Sequence, residues 1–256
     1  MKKNERIKFI LDTVNVKGYV SIQELAQHLN VSTMTIRRYL TELEEKDELI
    51  KVHGGAESKL VRNEKSQFEK QSLYMNEKKE IADIASHFIK PGETIFIGSG
   101  TTLEQLAYKI TEEDIRVVTN SWPVFVILNQ KNFKELVLVG GTYRERTGAF
   151  VGKTAFNCLE SMNFTKAFIS CNAIYGTNIS TFTESAGDIQ TAALNKAQEK
   201  FLLVDHSKFN KIDFYQFYNL EDINYLITDH NIEEKTIAKY SQFVKILSSK
   251  TIDSPL

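Results

Sequence analysis

The sequence predicts an α/β fold in two parts, a small helical module with a β-wing followed by a larger, mainly parallel sheet. Three observations predict it. Short helical periods and a closing Gly54-Gly55 fill the N-terminal part, and from Glu77 onward apolar strands alternate with helices. Between them residues 58–76 are polar and charged, with no sustained apolar period, and read as a linker that is partly helical around Gln67 to Leu73. A chain of 256 residues accommodates one large domain or two smaller ones. The parts read as a small winged helical module over 1–57, a linker over 58–76 and an α/β domain over 77–256.

Residues 4–14 place Ile7, Ile10, Leu11 and Val14 on one helical face, and Gly18 reads as the stop. Ser21-Ile-Gln-Glu24 has the form of a capping box and opens a helix to Leu29, with Leu25 and Ala26 inward. After Asn30-Val31, Ser32 is the expected cap of a third helix whose buried stripe is Ile36, Leu40 and Leu43. Its other face carries Met34, Thr35, Arg37 and Arg38, a set suited to phosphates and base edges in a major groove. Two short helices joined this way form a helix-turn-helix. Leu49, Ile50 and Val52 favour a strand, Gly54-Gly55 a tight turn, and Lys51 and His53 would meet sugar-phosphate backbone. The expected DNA contacts are Ser32, Thr33, Met34, Thr35, Arg37, Arg38, Lys51, His53 and Gly54. A packing unit with no ligand and a structural hairpin are the bland alternatives.

Charge agrees with a local rather than a global polyanion surface. The formal net charge is −1, yet residues 1–40 hold seven Lys/Arg (2, 3, 6, 8, 17, 37, 38) against three acids, a balance of +4. Residues 41–50 then hold five acids against Lys46, which aims the N-terminal end of the module at DNA. No apolar run has the length of a membrane span, and the lysine-rich N-terminus lacks a signal-peptide core. Cys158 and Cys171 are too few for a disulfide framework, so a cytoplasmic setting is expected, without membrane. No His/Cys cluster has zinc spacing, and no metal or cofactor is expected.

In the second part a helix through Ile81, Ile84, Ala85 and Phe88 ends before Pro91-Gly92. Strands are expected at 94–97, 116–119, 135–139, 166–170, 200–204 and 224–228, and helices at 103–110, 124–130, 153–162 and 190–198. Such alternation argues a parallel sheet covered on both faces. Ligands bind such sheets at the strands' carboxyl ends. There lie Gly98-Ser-Gly-Thr-Thr102 before a helix N-terminus, Thr119-Asn120-Ser121, and Gly140-Gly141 leading to Arg144 and Arg146. Hydroxyl-rich 177–183 ends at Glu184, and Asp205-His-Ser-Lys208 follows a strong apolar strand. Together they describe a polar, anion-tolerant site suited to a phosphorylated sugar.

The N-terminal string Val31-Ser32, Thr35-Ile36-Arg37-Arg38, Leu40, Leu43-Glu44, Leu49 and Val52-His53-Gly54-Gly55-Ala56 resembles the DeoR family of bacterial transcriptional repressors. The resemblance continues at Ser99-Gly100-Thr101-Thr102, Val118-Thr119-Asn120, Gly140-Gly141, Arg144 and Asp205 with Ser207-Lys208-Phe209, and so covers essentially the whole chain. It implies a sensor domain of the phosphosugar isomerase (ribose-5-phosphate isomerase-like) fold. Pro123-Val124, Ala149-Phe-Val-Gly152 and Ser170 with Asn172-Ala173 are similar to the subgroup of lactose phosphotransferase repressors, which implies tagatose 6-phosphate as the releasing sugar. The expected effector residues are Ser99, Gly100, Thr101, Thr102, Asn120, Gly141, Arg144, Asp205 and Lys208, with Thr183 added from the hydroxyl-rich segment. The implied partners are double-stranded operator DNA and a second copy of the chain, as a homodimer or higher homo-oligomer. Five positions depart from the family pattern. Tyr39 stands where Asp is usual, Asp47 where Gly is usual, Ala186-Gly187 where a Glu-Ala pair falls (Glu184 lying two residues early), and Gln190 where Lys is frequent.

The rival reading is an isomerase-like enzyme using Asp205, His206, Glu184 and Lys208 in acid–base chemistry. The DNA module has no purpose in such an enzyme, so the chain is expected not to be one. A third reading, a protein-binding winged helix on a structural scaffold, leaves the polar strand ends unexplained.

Overall fold

A computed structural model describes residues 3–17, 19–58, 66–131 and 133–251. Lys2, Gly18 and residues 59–65 of the expected linker lie outside the described residues. The chain divides into two compact units, one of Met1–Glu64 with Asn210–Phe214 and one of Lys65–Phe209 with Tyr215–Leu256.

The first unit runs α1 (Lys3–Lys17), β1 (Tyr19–Ser21), α2 (Ile22–Leu29), α3 (Thr33–Glu45), β2 (Leu49–Val52) and β3 (Gly55–Ser58). Ser21 caps α2 by accepting the Glu24 amide at 3.1 Å. Asn30 ends it in the left-handed region, φ 49°, its amide reaching back to Ala26. Val20 and Ser21, expected only as a lead-in, pair with Ala56 and Gly55, so the wing is a three-stranded antiparallel sheet, β1-β3-β2. Val52 pairs with Gly55, so the tight turn is His53-Gly54 rather than Gly54-Gly55. Gly54, at φ +83°, supplies the positive φ such a turn requires. Ile10, Val14, Leu25, Ile36, Leu40, Leu43 and Leu49 are buried together as the unit's core.

The second unit opens on α4 (Gln67–Gln71), inside the expected linker where partial helix was read, and on α5 (Met75–Ser86), the expected helix through Ile81, Ile84 and Ala85, which starts two residues inside that linker and stops short of Phe88. Seven parallel strands follow: β4 (Thr94–Ile97), β5 (Arg116–Thr119), β6 (Glu135–Leu138), β9 (Phe164–Ile169), β12 (Ala197–Leu203), β14 (Tyr225–Ile227) and β15 (Lys245–Leu247). Their order is β15-β14-β12-β9-β4-β5-β6. Period-two alternation divides the strand side chains between two apolar layers. Ile95 and Ile97 pack with α5, α6 (Thr101–Lys109) and α7 (Trp122–Gln130). Phe96 faces the other way, into the layer with α8 (Lys153–Glu160), α9 (Glu184–Asn195) and α10 (Glu234–Tyr240). Antiparallel additions complete it: the hairpin β7 (Thr142–Arg144) with β8 (Ala149–Val151), and a small sheet β10 (Ala173–Tyr175), β11 (Asn178–Thr181) and β13 (Tyr215–Asn219).

Three expectations need correction. The helix expected at 103–110 starts at Thr101, because Gly100 (φ +136°) turns the chain sharply before it. The helix expected at 190–198 starts at Glu184, capped by Thr183. The strand at 224–228 is not the last, since β15 pairs beyond it.

Candidate nucleic-acid interface and strand-end site

In the first unit the interface is built on α3. Ser32 Oγ accepts the Thr35 amide at 3.2 Å and lies 3.0 Å from Thr35 Oγ1, which fixes the helix start. Ile36, Tyr39, Leu40 and Leu43 are buried, so helical geometry leaves Ser32, Thr33, Met34, Arg37 and Arg38 outside. Met34 is 74 % exposed, a large apolar side chain on an otherwise polar face. Met34, Thr35, Arg37, Arg38 and Thr41 line a shallow open concavity. Tyr39 is only 3 % exposed and joins the core. The Arg38 guanidinium lies 5.6 Å from its ring centroid, so Tyr39 serves both as packing and as a platform for a cation. Asp47 adopts φ +62°, which places it in the left-handed turn usually served by glycine, and its amide donates to Glu44 O at 2.9 Å.

On the wing, His53 and Gly54 are exposed at the turn. The Gly54 carbonyl accepts the Ile22 amide at 2.9 Å, tying the turn to the start of α2. Lys51 is drawn toward α3, its Nζ donating to Thr41 Oγ1 at 2.9 Å and standing 3.8 Å from Glu44. Glu42 pairs with Lys3 at 2.8 Å and Lys46 at 3.1 Å, so part of the acidic run folds onto the unit's own lysines.

In the second unit every parallel strand delivers its carboxyl end to one edge of the sheet. From β4 the chain moves through β5 and β6 to one side, and from β9 through β12, β14 and β15 to the other. The crevice between β4 and β9 is therefore the topological switch point, where open α/β sheets take their ligands. Ser99-Gly100 and Ser170–Asn172 flank it, and a Cβ on Gly100 would stand 3.8 Å from that of Ser170. Thr101 and Thr102 are buried in the first turn of α6. Asn120, 3 % exposed, donates through Nδ2 to Phe150 O at 3.0 Å, while its Oδ1 is buried with no hydrogen-bond partner.

Arg144 and Thr183 are brought together, Nη1 to Oγ1 at 3.3 Å. Gly141 is explained by packing, since a Cβ there would lie 2.7 Å from Val151 O. Asp205 is buried and closes the following 3-10 turn by accepting the Ser207 amide at 3.0 Å. Lys208 ends that turn, half-buried. His206 is held by Asp229, which accepts its amide at 2.7 Å and lies 2.9 Å from Nδ1. Glu184 is the exposed first residue of α9.

Two buried charges at this edge carry no sequence signal. Glu104, on α6, is 5 % exposed. It accepts Gln67 Nε2 at 2.5 Å and Gln71 Nε2 at 3.3 Å. Burial pushes its carboxyl above the usual range, against those hydrogen bonds and the charge of Lys78. Lys78, on α5, is 4 % exposed and donates to the carbonyls of Lys70 at 2.5 Å and Leu73 at 2.6 Å. Burial holds its ammonium below the usual lysine value, with Asp205 and Glu104 opposing and Lys208 adding to the shift.

Comparison with known proteins bears on both units. Residues 6–60 match the DeoR-like helix-turn-helix domain and residues 73–230 the DeoR C terminal sensor domain. The chain is 46 % identical over 254 residues to the lactose phosphotransferase system repressor of Lactococcus lactis, covering 97 % of this chain and 100 % of that protein. It is 40 % identical over 252 residues to the protein of that name from Streptococcus mutans, covering 97 % and 100 %. Among solved structures, ribose 5-phosphate isomerase A of Methanocaldococcus jannaschii aligns at TM-score 0.39 and 17 % identity, over 52 % of this chain and 53 % of that one.

Proposed function

This chain belongs to the DeoR family, and from that premise we propose that a phosphorylated sugar at the strand-end site releases it from operator DNA. The protein is a DNA-binding transcriptional repressor of a sugar-utilisation operon, as its relatives' name and its helix-turn-helix indicate. The observation that carries DNA binding is α3, whose cap and buried stripe leave Thr33, Met34, Arg37 and Arg38 outward. For the sugar, support comes from the switch point, with the Ser99–Thr102 turn for the phosphate and Asn120 Oδ1 for a hydroxyl. The relatives belong to lactose phosphotransferase systems, which favours tagatose 6-phosphate. Two copies bind together, because helix-turn-helix proteins read paired half-sites. The site binds rather than turns over its ligand. His206 is engaged with Asp229, Asp205 with Ser207, and Glu184 is exposed, which is no poised acid–base pair.

The test is a thermal-shift screen of the purified protein with tagatose, fructose, galactose and glucosamine phosphates, followed by release from labelled operator DNA. A ligand at a hundred times its Kd stabilises the protein by about 2.7 kcal/mol. The hit should free the DNA, and Arg144→Ala should blunt that release. Release that is undiminished in Arg144→Ala removes this arginine from the site, and turnover of the sugar would replace repression with catalysis.

A further inference from the structure

Helix α4 lies across the switch point itself. Gln67 and Gln71 hold Glu104, just after β4, while Lys70 Nζ reaches Asn172 Oδ1 at 3.2 Å, just after β9. The Gln67 amide also donates to Arg146 O at 2.8 Å in the turn between β7 and β8. Two strand ends and the hairpin are thus strapped by one helix of five residues, none of them buried. Its far end is closed by Lys78, whose ammonium takes the carbonyls of Lys70 and Leu73. The bend into α5 is strained, since Tyr74 holds φ +54°, a conformation costly for an aromatic residue. The Tyr74 ring meets His206 edge-on at 5.1 Å, so residues 74–78 sit against the loop after β12.

Resting on the effector reading above, we propose that Lys78 is an effector ligand that exchanges the α4 carbonyls for oxygens of the sugar, so that binding unlatches α4. Asp205 and Glu104 already act on this ammonium. A phosphate there would meet two carboxylates, whereas neutral hydroxyl or carbonyl oxygens replace the two peptide carbonyls like for like. The phosphate is left to the Ser99–Thr102 turn and Arg144.

Hydrogen exchange of the full chain tests this, with tagatose 6-phosphate as probe and calorimetry for affinity. In the wild type, saturating ligand should speed exchange of the 68–73 amides. Lys78→Met should bind the sugar phosphate about tenfold or more weakly, the usual cost of a charged hydrogen bond. Gln67→Ala with Gln71→Ala loosens the strap without touching Lys78. That variant should exchange quickly without ligand and bind it about tenfold more tightly, its unlatching being already done. Unchanged affinity in Lys78→Met, or slower exchange at 68–73 on binding, overturns the assignment of Lys78 alone. If Lys78→Met does not fold, unchanged or weaker binding by the double variant overturns it instead. Absence of binding by the wild type to any of the four sugar phosphates overturns the effector reading and this inference with it.

Discussion

Arg37 and Arg38 are neighbours on α3 with different surroundings. Arg38 rests over the buried Tyr39 ring, which limits its freedom, while both remain exposed. Arg37→Ala and Arg38→Ala should each weaken operator binding without unfolding the chain. A lost base contact costs about 1–3 kcal/mol, while a lost phosphate contact lowers the salt slope by about one unit. Anisotropy titrations at several salt concentrations separate these, and unchanged affinity in both variants would remove α3 from the groove. Gly187 is a second residue whose identity has a physical cause. A Cβ there would stand 2.6 Å and 2.7 Å from ring atoms of Tyr215 and 2.8 Å from Phe217 Cβ. Gly187→Ala should therefore cost about 1–3 kcal/mol of overpacking strain, read as a lower urea midpoint with unchanged slope. A midpoint equal to wild type would mean that Tyr215 moves freely aside. The same contact accounts for glycine rather than alanine at 187, while nothing in the structure explains Ala186.

At the scale of elements, α5 is joined to the loops after β14 and β15 by one titratable pair. Glu80 Oε2 lies 2.5 Å from His230 Nδ1, and Glu80 Oε1 accepts Ser249 Oγ at 2.6 Å. The hydrogen bond to Glu80, then its charge, raises His230 above its usual value. Burial opposes the shift at Glu80, but hydrogen bonds from His230 and Ser249 hold its carboxyl below the usual range. The histidine contribution is full below its unfolded pKa and is lost as pH rises through the raised one. The glutamate contribution is present above its unfolded pKa and is lost as pH falls through the lowered one. The pair therefore stabilises the second unit in the acid-to-neutral window, and His230→Gln should flatten the melting-temperature profile there. Identical profiles for the two proteins would sink this account. What was legible in the sequence follows the same physics. Thr94–Ile97 and Arg116–Thr119 stand out as apolar runs, and α2 and α3 as capped periods, because local pattern suffices to specify them. Helix α4 has no apolar face, and its position depends on Glu104, Asn172 and Lys78, residues distant in sequence or individually unremarkable. Burial of Lys78 and Glu104 is likewise tertiary, and no spacing announces it. Asn120 lies directly after β5, as the apolar run before it suggests, whereas Arg144 ends β7 and Thr183 caps α9, element boundaries that no local pattern marks.

At the scale of the whole molecule, the net charge of −1 leaves little general attraction for DNA, so affinity has to come from α3 and the wing. One recognition helix reads few base pairs, each worth about 1–3 kcal/mol against a mismatch, and sugar-operon control demands more discrimination than that. In the dimer proposed above, two copies on half-sites about 34–36 Å apart would supply it, provided both helices face the same side of the duplex. Phase is then as important as sequence. Inserting about 5 bp between half-sites turns one through half a helical turn and should lower affinity by about a hundredfold or more, as if two or more base contacts were lost. An insertion of about 10 bp restores the face but lengthens the span, and should recover binding only as far as the dimer can stretch. Competition binding with the three duplexes measures this directly. Equal affinity for all of them would mean that each copy binds alone. An effector that acts by changing the geometry between two copies would then have nothing to act on.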